Sequence, residues 1–225
     1  MQRILLHGLG QAASSWQPTV ERLAEPADVR CPALFDWLSG GPAGYDALYA
    51  GFSAYCRSFQ SPLALCGLSL GGLLALQYAI EHPQQIHSLV LAGVPFHMPK
   101  RLLQFQNWMF RLMPQSAFQK AGLSKQDTIR LCASMAQLDL TPGLSALKCP
   151  VLLLCGEKDR ANKGAALQFQ KRLPQAKFVL IPGQDMRCNV GMPHAWPLAK
   201  RIERLLGPMT FLGPQKMREE RSYSS

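Results

Sequence analysis

Ser69 stands between two glycines, at the point where an apolar segment is expected to change from one kind of secondary structure to another. Residues 63–66 form an apolar run too short for a helix, and a second apolar run extends from Gly71 to His82-Pro83. This order predicts a strand, a tight turn and a helix, with Ser69 at the tip of the turn. Glycine two positions away on either side removes the collisions that side chains would make there. The pattern therefore predicts an exposed hydroxyl, which is a candidate nucleophile.

A serine hydroxyl is a poor nucleophile at neutral pH, so Ser69 needs a base, and the base needs an orienting carboxylate. Histidine is the natural base because it titrates near the working pH. His194 follows the last predicted strand, and Asp159 follows the predicted strand before it. Loops after parallel strands meet at one edge of a sheet. We therefore predict Ser69, Asp159 and His194 as the catalytic residues.

Two backbone N–H groups are expected to face the carbonyl oxygen of a substrate. Leu70 begins the helix after Ser69, where the positive end of the helix dipole favours an oxyanion. Leu9 lies in a loop of small residues that follows the first predicted strand, and such a loop lets the backbone approach a ligand closely. We expect Leu9 and Leu70 to form the oxyanion hole.

Other residues of suitable types remain as alternatives. Asp185 or Asp139 could supply the carboxylate in place of Asp159, and Cys188 is a thiol near the site without an assigned role. His7 is expected to brace the loop that contains Leu9. The remaining histidines are expected to be solvated, structural or part of an inserted segment: His82, His87 and His97.

Short apolar segments alternate with helical patterns along most of the chain. Strands are predicted at residues 3–6, 28–35, 63–66, 86–93, 151–155 and 178–181. Helices are predicted at residues 16–23, 45–59, 163–172 and 196–206, and in the apolar segment after Gly71. Such alternation implies right-handed crossovers and a mostly parallel sheet with helices on both faces.

The alternation breaks between residues 94 and 140. Residues 100–113 have the periodicity of an amphipathic helix, and Ser124 with Asp127 resembles a capping box at the start of another. These helices either pack as part of the core or form a roof above Ser69. In the second case, an apolar pocket would be lined by Trp108, Met109 and Met113.

Composition excludes several classes of protein. The formal charge is +10, but the basic residues are spread without a block of five, so a nucleic-acid partner is not expected. Seven scattered cysteines without C-x-x-C spacing indicate a reducing compartment, with neither disulfides nor zinc. No apolar run is long enough to span a membrane, and the segment before Ile4 leaves no room for a signal peptide. We expect a cytoplasmic protein and leave its oligomeric state open.

The chain order Ser69, Asp159, His194 is that of the α/β-hydrolase fold, and residues 3–206 resemble that superfamily. The oxyanion loop of that superfamily is similar to His7-Gly8-Leu9-Gly10 with Trp16. Its nucleophile elbow is similar to Gly67-Leu68-Ser69-Leu70-Gly71-Gly72. The loop that carries the catalytic acid in that superfamily is similar to Gly156-Glu157-Lys158-Asp159. The loop that carries its catalytic histidine is similar to the segment from Pro182-Gly183 through His194.

This resemblance implies an α/β-hydrolase domain over residues 1–207, with about six strands and a short helical cap insert at about 95–140. The prolines, glycine, mixed charges and serines of residues 208–225 predict a flexible tail. Because the chain begins at what is usually the third strand, the first two edge strands would be missing. The loop that leads to His194 is longer than in relatives. Relatives with these motifs include small serine carboxylesterases, lactonases and carbon–carbon bond hydrolases.

The sequence therefore predicts a serine hydrolase that needs neither a metal nor a cofactor. Its substrate would be a small-molecule carboxylic ester, thioester or lactone, cleaved through an acyl-enzyme. Acyl transfer or carbon–carbon bond cleavage with the same triad is one alternative. A binding protein that keeps the fold and the pocket without turnover is an alternative of another class.

Overall fold

A computed structural model describes residues 1–23, 28–38, 40–96, 115, 118 and 122–184. In these residues, six strands form one sheet in the order β2-β1-β3-β4-β5-β6, and every pair is parallel. The strands are β1 (Gln2–Leu6), β2 (Val29–Arg30), β3 (Leu63–Leu68), β4 (Ile86–Ala92), β5 (Val151–Gly156) and β6 (Lys177–Ile181). The prediction of a parallel sheet of about six strands is confirmed.

The helices that connect these strands overlap the predicted segments. They are α1 (Gln17–Val20), α2 (Tyr45–Arg57), α3 (Leu70–Glu81), α4 (Lys125–Ser134) and α5 (Arg160–Arg172). Short 3-10 helices occur at Ala13–Trp16, Leu34–Leu38, Met135–Gln137 and Thr141–Ala146. Among the described helices, none combines the length and the apolar character that a membrane crossing requires.

Each face of the sheet has its own apolar core, because successive strand residues point to opposite faces. One core joins alternate strand residues to α2, α3, α4 and α5, and includes Ile4, Leu65, Leu91, Leu153 and Phe169. The other joins the intervening strand residues to the segment around α1, and includes Leu5, Cys66, Val90, Leu154 and Trp16. Burial on both faces explains why the strands read as continuous apolar runs.

The second strand is shorter than the predicted residues 28–35. Pro32 has no N–H to donate to a neighbouring strand. The N–H of Leu34 donates to Nε2 of His7 at 3.2 Å, so it also makes no strand pairing. The chain then turns into the 3-10 helix Leu34–Leu38.

The first helix is also shorter than the predicted residues 16–23. Its start is the 3-10 helix Ala13–Trp16, and α1 itself has four residues. Beyond α1, the N–H of Arg22 donates to the carbonyl of Thr19 at 3.1 Å and that of Leu23 to Val20 at 3.0 Å. Hydrogen bonds between residues three positions apart are typical of a 3-10 helix. The chain therefore keeps turning after α1 but does not extend the α-helix.

The inserted segment contributes α4 to the core. Oγ of Ser124 accepts the N–H of Asp127 at 3.0 Å and donates to its carboxylate at 2.7 Å, which confirms the predicted helix start. Leu131 and Cys132 of α4 are buried in the same core as α2 and α3. For this helix, core packing is the correct alternative.

Several predicted features lie outside the described residues. These are the first insert helix at residues 100–113, with Trp108, Met109 and Met113, the helix at residues 196–206, and the tail at residues 208–225.

Close packing at the start of α3 depends on glycines. A Cβ atom added to Gly71 would lie 2.5 Å from the carbonyl oxygen of Leu6 and 2.6 Å from that of His7. A Cβ atom added to Gly67 would lie 2.4 Å from the backbone of Gly72. Because backbone atoms cannot move aside as a flexible side chain does, α3 can lie this close to β1 and β3 only without side chains here.

We therefore expect Gly71→Ala to lower the free energy of unfolding by about 2 kcal/mol, the cost typical of overpacking a rigid site. Urea unfolding at pH 7.5 measures this change. Gly164→Ala is the matched control, because Gly164 lies within α5 and no atom would approach its Cβ within 4 Å. This control should stabilise the protein by up to about 1 kcal/mol through helix propensity. Equal stability of the two variants would contradict the packing argument.

Candidate active site

Ser69 joins β3 to α3 with an unusual backbone conformation. Its φ of 49° makes it the one non-glycine residue with positive φ in the described part of the chain. Its N–H donates to the carbonyl of Ala92 at 2.9 Å, and its own carbonyl accepts from Leu73 at 3.0 Å. A sparsely populated conformation costs about 1–3 kcal/mol and persists when the surrounding structure holds it. Such strain is concentrated at functional sites, which makes Ser69 the first candidate.

The sheet order places Ser69 where chain connections diverge. The connection from β1 leads to β2 on one side of the sheet, while that from β3 leads to β4 on the other. The segments after β1 and β3 therefore leave in opposite directions and open a crevice at the carboxyl edge. Ligands of open parallel sheets bind in such crevices.

The loop after β1 lies beside the turn at Ser69. A Cβ atom added to Gly8 would be 3.5 Å from the carbonyl oxygen of Leu68, directly before Ser69. Gln11 holds the loop, because its side-chain oxygen accepts the N–H of Gly8 at 3.1 Å and its N–H donates to the carbonyl of Gly8 at 3.2 Å. Leu9 and Leu70 are thus on adjacent segments. Within the described residues, neither of their N–H groups donates to a backbone carbonyl.

His7 braces this loop through hydrogen bonds to the backbone. Its ring is buried, Nδ1 donates to the carbonyl of Gly8 at 3.0 Å, and Nε2 accepts the N–H of Leu34 at 3.2 Å. Because Nε2 accepts, the ring is neutral. Burial lowers the pKa of His7, and the hydrogen bond to Gly8 acts in the opposite direction. The predicted bracing role is confirmed, since both ring nitrogens have backbone partners.

Asp159 is buried and lies at the start of α5, with 7% of its surface exposed. Oδ1 accepts the N–H of Asn162 at 3.1 Å, and Oδ2 accepts the side-chain amide of Asn162 at 2.8 Å. The strand before it, β5, is two strands from β3 in the sheet. At a spacing of ~4.8 Å per strand, this separates the two strand ends by about 10 Å. Ser69 and Asp159 therefore lie at the same edge of the sheet, two strands apart.

Sequence reasoning missed Asn162, which contacts both oxygens of Asp159. The available signal was the spacing, because a residue three positions after a helix cap faces the cap. An aspartate followed three residues later by a residue with an amide donor could therefore have indicated this pair.

The segment that leads towards the predicted histidine loop is attached to the acid loop. Glu157 donates its N–H to the carbonyl of Ile181 at 3.0 Å, and Lys158 donates to that of Gln184 at 2.7 Å. The carboxylate of Glu157 accepts the N–H of Gly183 at 2.9 Å. These bonds hold the chain at residue 184 beside the loop of Asp159.

The described residues thus place Ser69, Leu70 and Leu9 on adjacent segments, and Asp159 two strands away at the same edge of the sheet. Outside them lie His194, Asp185 and Cys188, and the pocket residues Trp108, Met109 and Met113. Asp139 has a structural role, because its Oδ1 accepts the N–H of Thr141 at 2.9 Å, at the start of the 3-10 helix Thr141–Ala146. Among the described side chains, no three of His, Cys, Asp or Glu are grouped so as to hold a metal ion.

The sequence matches the Alpha/beta hydrolase family over residues 4–205. The chain belongs to this family. The match confirms the predicted family and fold, and the names of two relatives, both esterases, agree with the predicted ester hydrolysis.

The pimeloyl-(acyl-carrier protein) methyl ester esterase of Aromatoleum aromaticum is 38% identical over 90 residues, which cover 40% of this chain and 36% of that protein. This alignment spans little more than a third of the relative's length. A protein of the same name from Nitrosomonas europaea is 25% identical over 216 residues, which cover 80% of this chain and 86% of that protein. A thermophilic esterase from Thermogutta terrifontis has the same fold, with a TM-score of 0.71 and 20% identity over 92% of this chain and 89% of that chain.

The brace at His7 predicts a pH dependence of stability. A buried histidine with a lowered pKa contributes stability that is complete above the unfolded value of about 6.5 and is lost as the pH falls through the folded value. His7→Gln cannot titrate, so its free energy of unfolding should fall less between pH 7.5 and pH 5. Urea unfolding at both pH values measures this difference. The control His87→Gln, at an exposed site, should keep the wild-type dependence, and an unchanged dependence in His7→Gln would contradict the assignment.

Proposed function

We propose that the chain is a serine carboxylic ester hydrolase in which Ser69 is the nucleophile, His194 the base and Asp159 the acid. The observation that carries this proposal is the positive φ of Ser69 at the start of α3, in the crevice between the segments after β1 and β3. Membership of the Alpha/beta hydrolase family and the names of the two esterase relatives support it.

In the proposed mechanism, His194 takes the proton of Ser69 as the oxygen attacks the ester carbonyl. Asp159 orients the imidazole and stabilises its charged form. The N–H groups of Leu70 and Leu9 donate to the oxyanion, and each such donor lowers the barrier by about 3 kcal/mol. The tetrahedral intermediate then expels an alcohol, which takes the proton from His194, and the acyl group stays on Ser69. Water deprotonated by His194 releases the acid and restores the serine.

We propose a small-molecule ester as the substrate. The two relatives are named for a methyl ester, which makes methyl esters of acyl chains the first class to test. We further propose that the part of the 95–140 insert before α4 forms the cap, and that Trp108, Met109 and Met113 line the pocket for the acyl chain, while α4 itself packs in the core. A cytoplasmic location remains a prediction from the sequence.

Ser69→Ala should lower kcat/KM for p-nitrophenyl butyrate by at least about 1,000-fold, since the acyl-enzyme has no other oxygen on which to form. A fluorophosphonate probe should label the wild-type protein at Ser69 and leave the variant unlabelled. Ser145→Ala, at an exposed site, is the control and should behave as wild type. Retained turnover or retained labelling in Ser69→Ala, with the fold intact by circular dichroism, would refute the proposal.

The acid is tested by comparing Asp159→Asn with Asp139→Asn and Asp185→Asn. Asp159→Asn should lower kcat by about 1,000-fold or more, because a neutral amide neither holds the imidazole in the correct tautomer nor stabilises its charge. Both other variants should keep kcat within a few fold, as measured by steady-state hydrolysis of the same ester. A larger loss in Asp139→Asn or Asp185→Asn than in Asp159→Asn would reassign the acid.

A further inference from the structure

We infer that Asn162 is a positioning residue that fixes the orientation of the Asp159 carboxylate, an inference that rests on the proposed function. The two residues lie one helical turn apart at the start of α5. The backbone N–H of Asn162 donates to Oδ1 at 3.1 Å, and its side-chain Nδ2 donates to Oδ2 at 2.8 Å. One residue therefore binds both oxygens of the acid.

The orientation of the Asn162 amide follows from the chemistry of its partner. An ionised carboxylate only accepts hydrogen bonds, so the nitrogen and not the oxygen of the amide must face Oδ2. Each carboxylate oxygen has two acceptor sites. The two bonds from Asn162 therefore leave acceptor sites on Asp159 for a third donor, which in the proposed mechanism is the imidazole of His194.

The two bonds have different roles. The bond from the backbone N–H to Oδ1 is an ordinary helix cap, and as a single bond it only partly restrains the terminal torsion of the carboxylate, which is broad. The bond from Nδ2 to Oδ2 adds nothing to the cap, because the orphan backbone N–H groups of the helix are not involved. It narrows the torsion further, since both oxygens are then held.

The surroundings of Asp159 allow this role to be tested by pH. The thiol of Cys155 lies 3.8 Å from the carbonyl oxygen of Asp159, and Asp159 and Lys163 are the charged groups that act on it. Burial raises the pKa of Cys155 to about 11, and the negative charge of Asp159 acts in the same direction. The thiol thus stays neutral between pH 5 and pH 9, and a change in the pH profile there does not come from Cys155.

The test compares Asn162→Ala and Asn162→Asp with the control Gln168→Ala, which removes an exposed amide from the same helix. Asn162→Ala should lower kcat about tenfold, the effect of losing one hydrogen bond to a charged group, with KM changed by less than about twofold. Asn162→Asp should lower kcat further, because a second carboxylate repels the first. Gln168→Ala should leave kcat and KM unchanged.

Stability measurements distinguish a positioning role of Asn162 from a role in packing. Asn162→Asp keeps the size of the side chain and places an acid in the first turn of α5, where the helix dipole favours it. Its free energy of unfolding should therefore equal or exceed that of Asn162→Ala, while its kcat is lower. A role in packing alone predicts the opposite order of activity, with Asn162→Asp more active than Asn162→Ala.

The pH profile gives a second readout. Without the amide donor, the carboxylate of Asp159 is no longer held towards the protonated base, and it stabilises the charged form of that base less. The acid limb of kcat/KM should therefore move to lower pH in Asn162→Ala, whereas a loss of folded protein would lower all values equally. An unshifted acid limb, an unchanged kcat, or a more active Asn162→Asp would each overturn the inference. If Ser69→Ala also kept its activity, the proposed function itself would fail, whereas an inactive Ser69→Ala would confine the failure to Asn162.

Discussion

The positive φ of Ser69 requires three backbone segments to pack against each other without side chains between them. Gly71 places the first turn of α3 against the carbonyls of Leu6 and His7, and Gly67 does the same between β3 and the helix. The backbone groups of Ser69 are held at the same time by Ala92 on β4 and by Leu73 on α3. The strained turn is therefore maintained by the sheet and the helix together, and the packing around it offsets the conformational free energy of the strain.

This contact also assembles the oxyanion side of the candidate site. Because α3 begins against the end of β1, the loop after β1 has to pass beside the positive end of the helix. His7 then fixes the loop through Gly8 and ties it to Leu34 in the next segment. The proposed nucleophile Ser69 and both proposed oxyanion donors, Leu9 and Leu70, thus depend on one packing arrangement.

The acid side of the site is built differently, through hydrogen bonds. The backbone at residues 157 and 158 is hydrogen-bonded to residues 181 and 184, so the ends of β5 and β6 are held together. Asp159 caps α5 and is at the same time held by the amide of Asn162. The distance to Ser69 is set by β4, which lies between β3 and β5. Sheet geometry therefore provides the spacing, and the start of α5 provides the orientation.

Local patterns predicted the central elements well and the first part of the chain less well. The strands β3 and β5 are apolar and buried for their full length, and burial on both faces requires this. The segment at residues 28–35 looks similar, yet it pairs over Val29–Arg30 alone. The N–H of Leu34 is taken by a histidine 27 residues away, and no local pattern contains that information.

By itself, the sequence determined the order of strands and helices, the turn at Ser69, the acidic residue after β5 and the chemical class of the site. These properties depend on residue types and on spacing along the chain, which periodicity and turn chemistry show directly. Only the tertiary structure decided that β1 lies between β2 and β3, which contacts give Ser69 its backbone conformation, and how Asp159 is oriented. These depend on distances between atoms, either from segments remote in sequence or from side chains whose rotamers the sequence does not state.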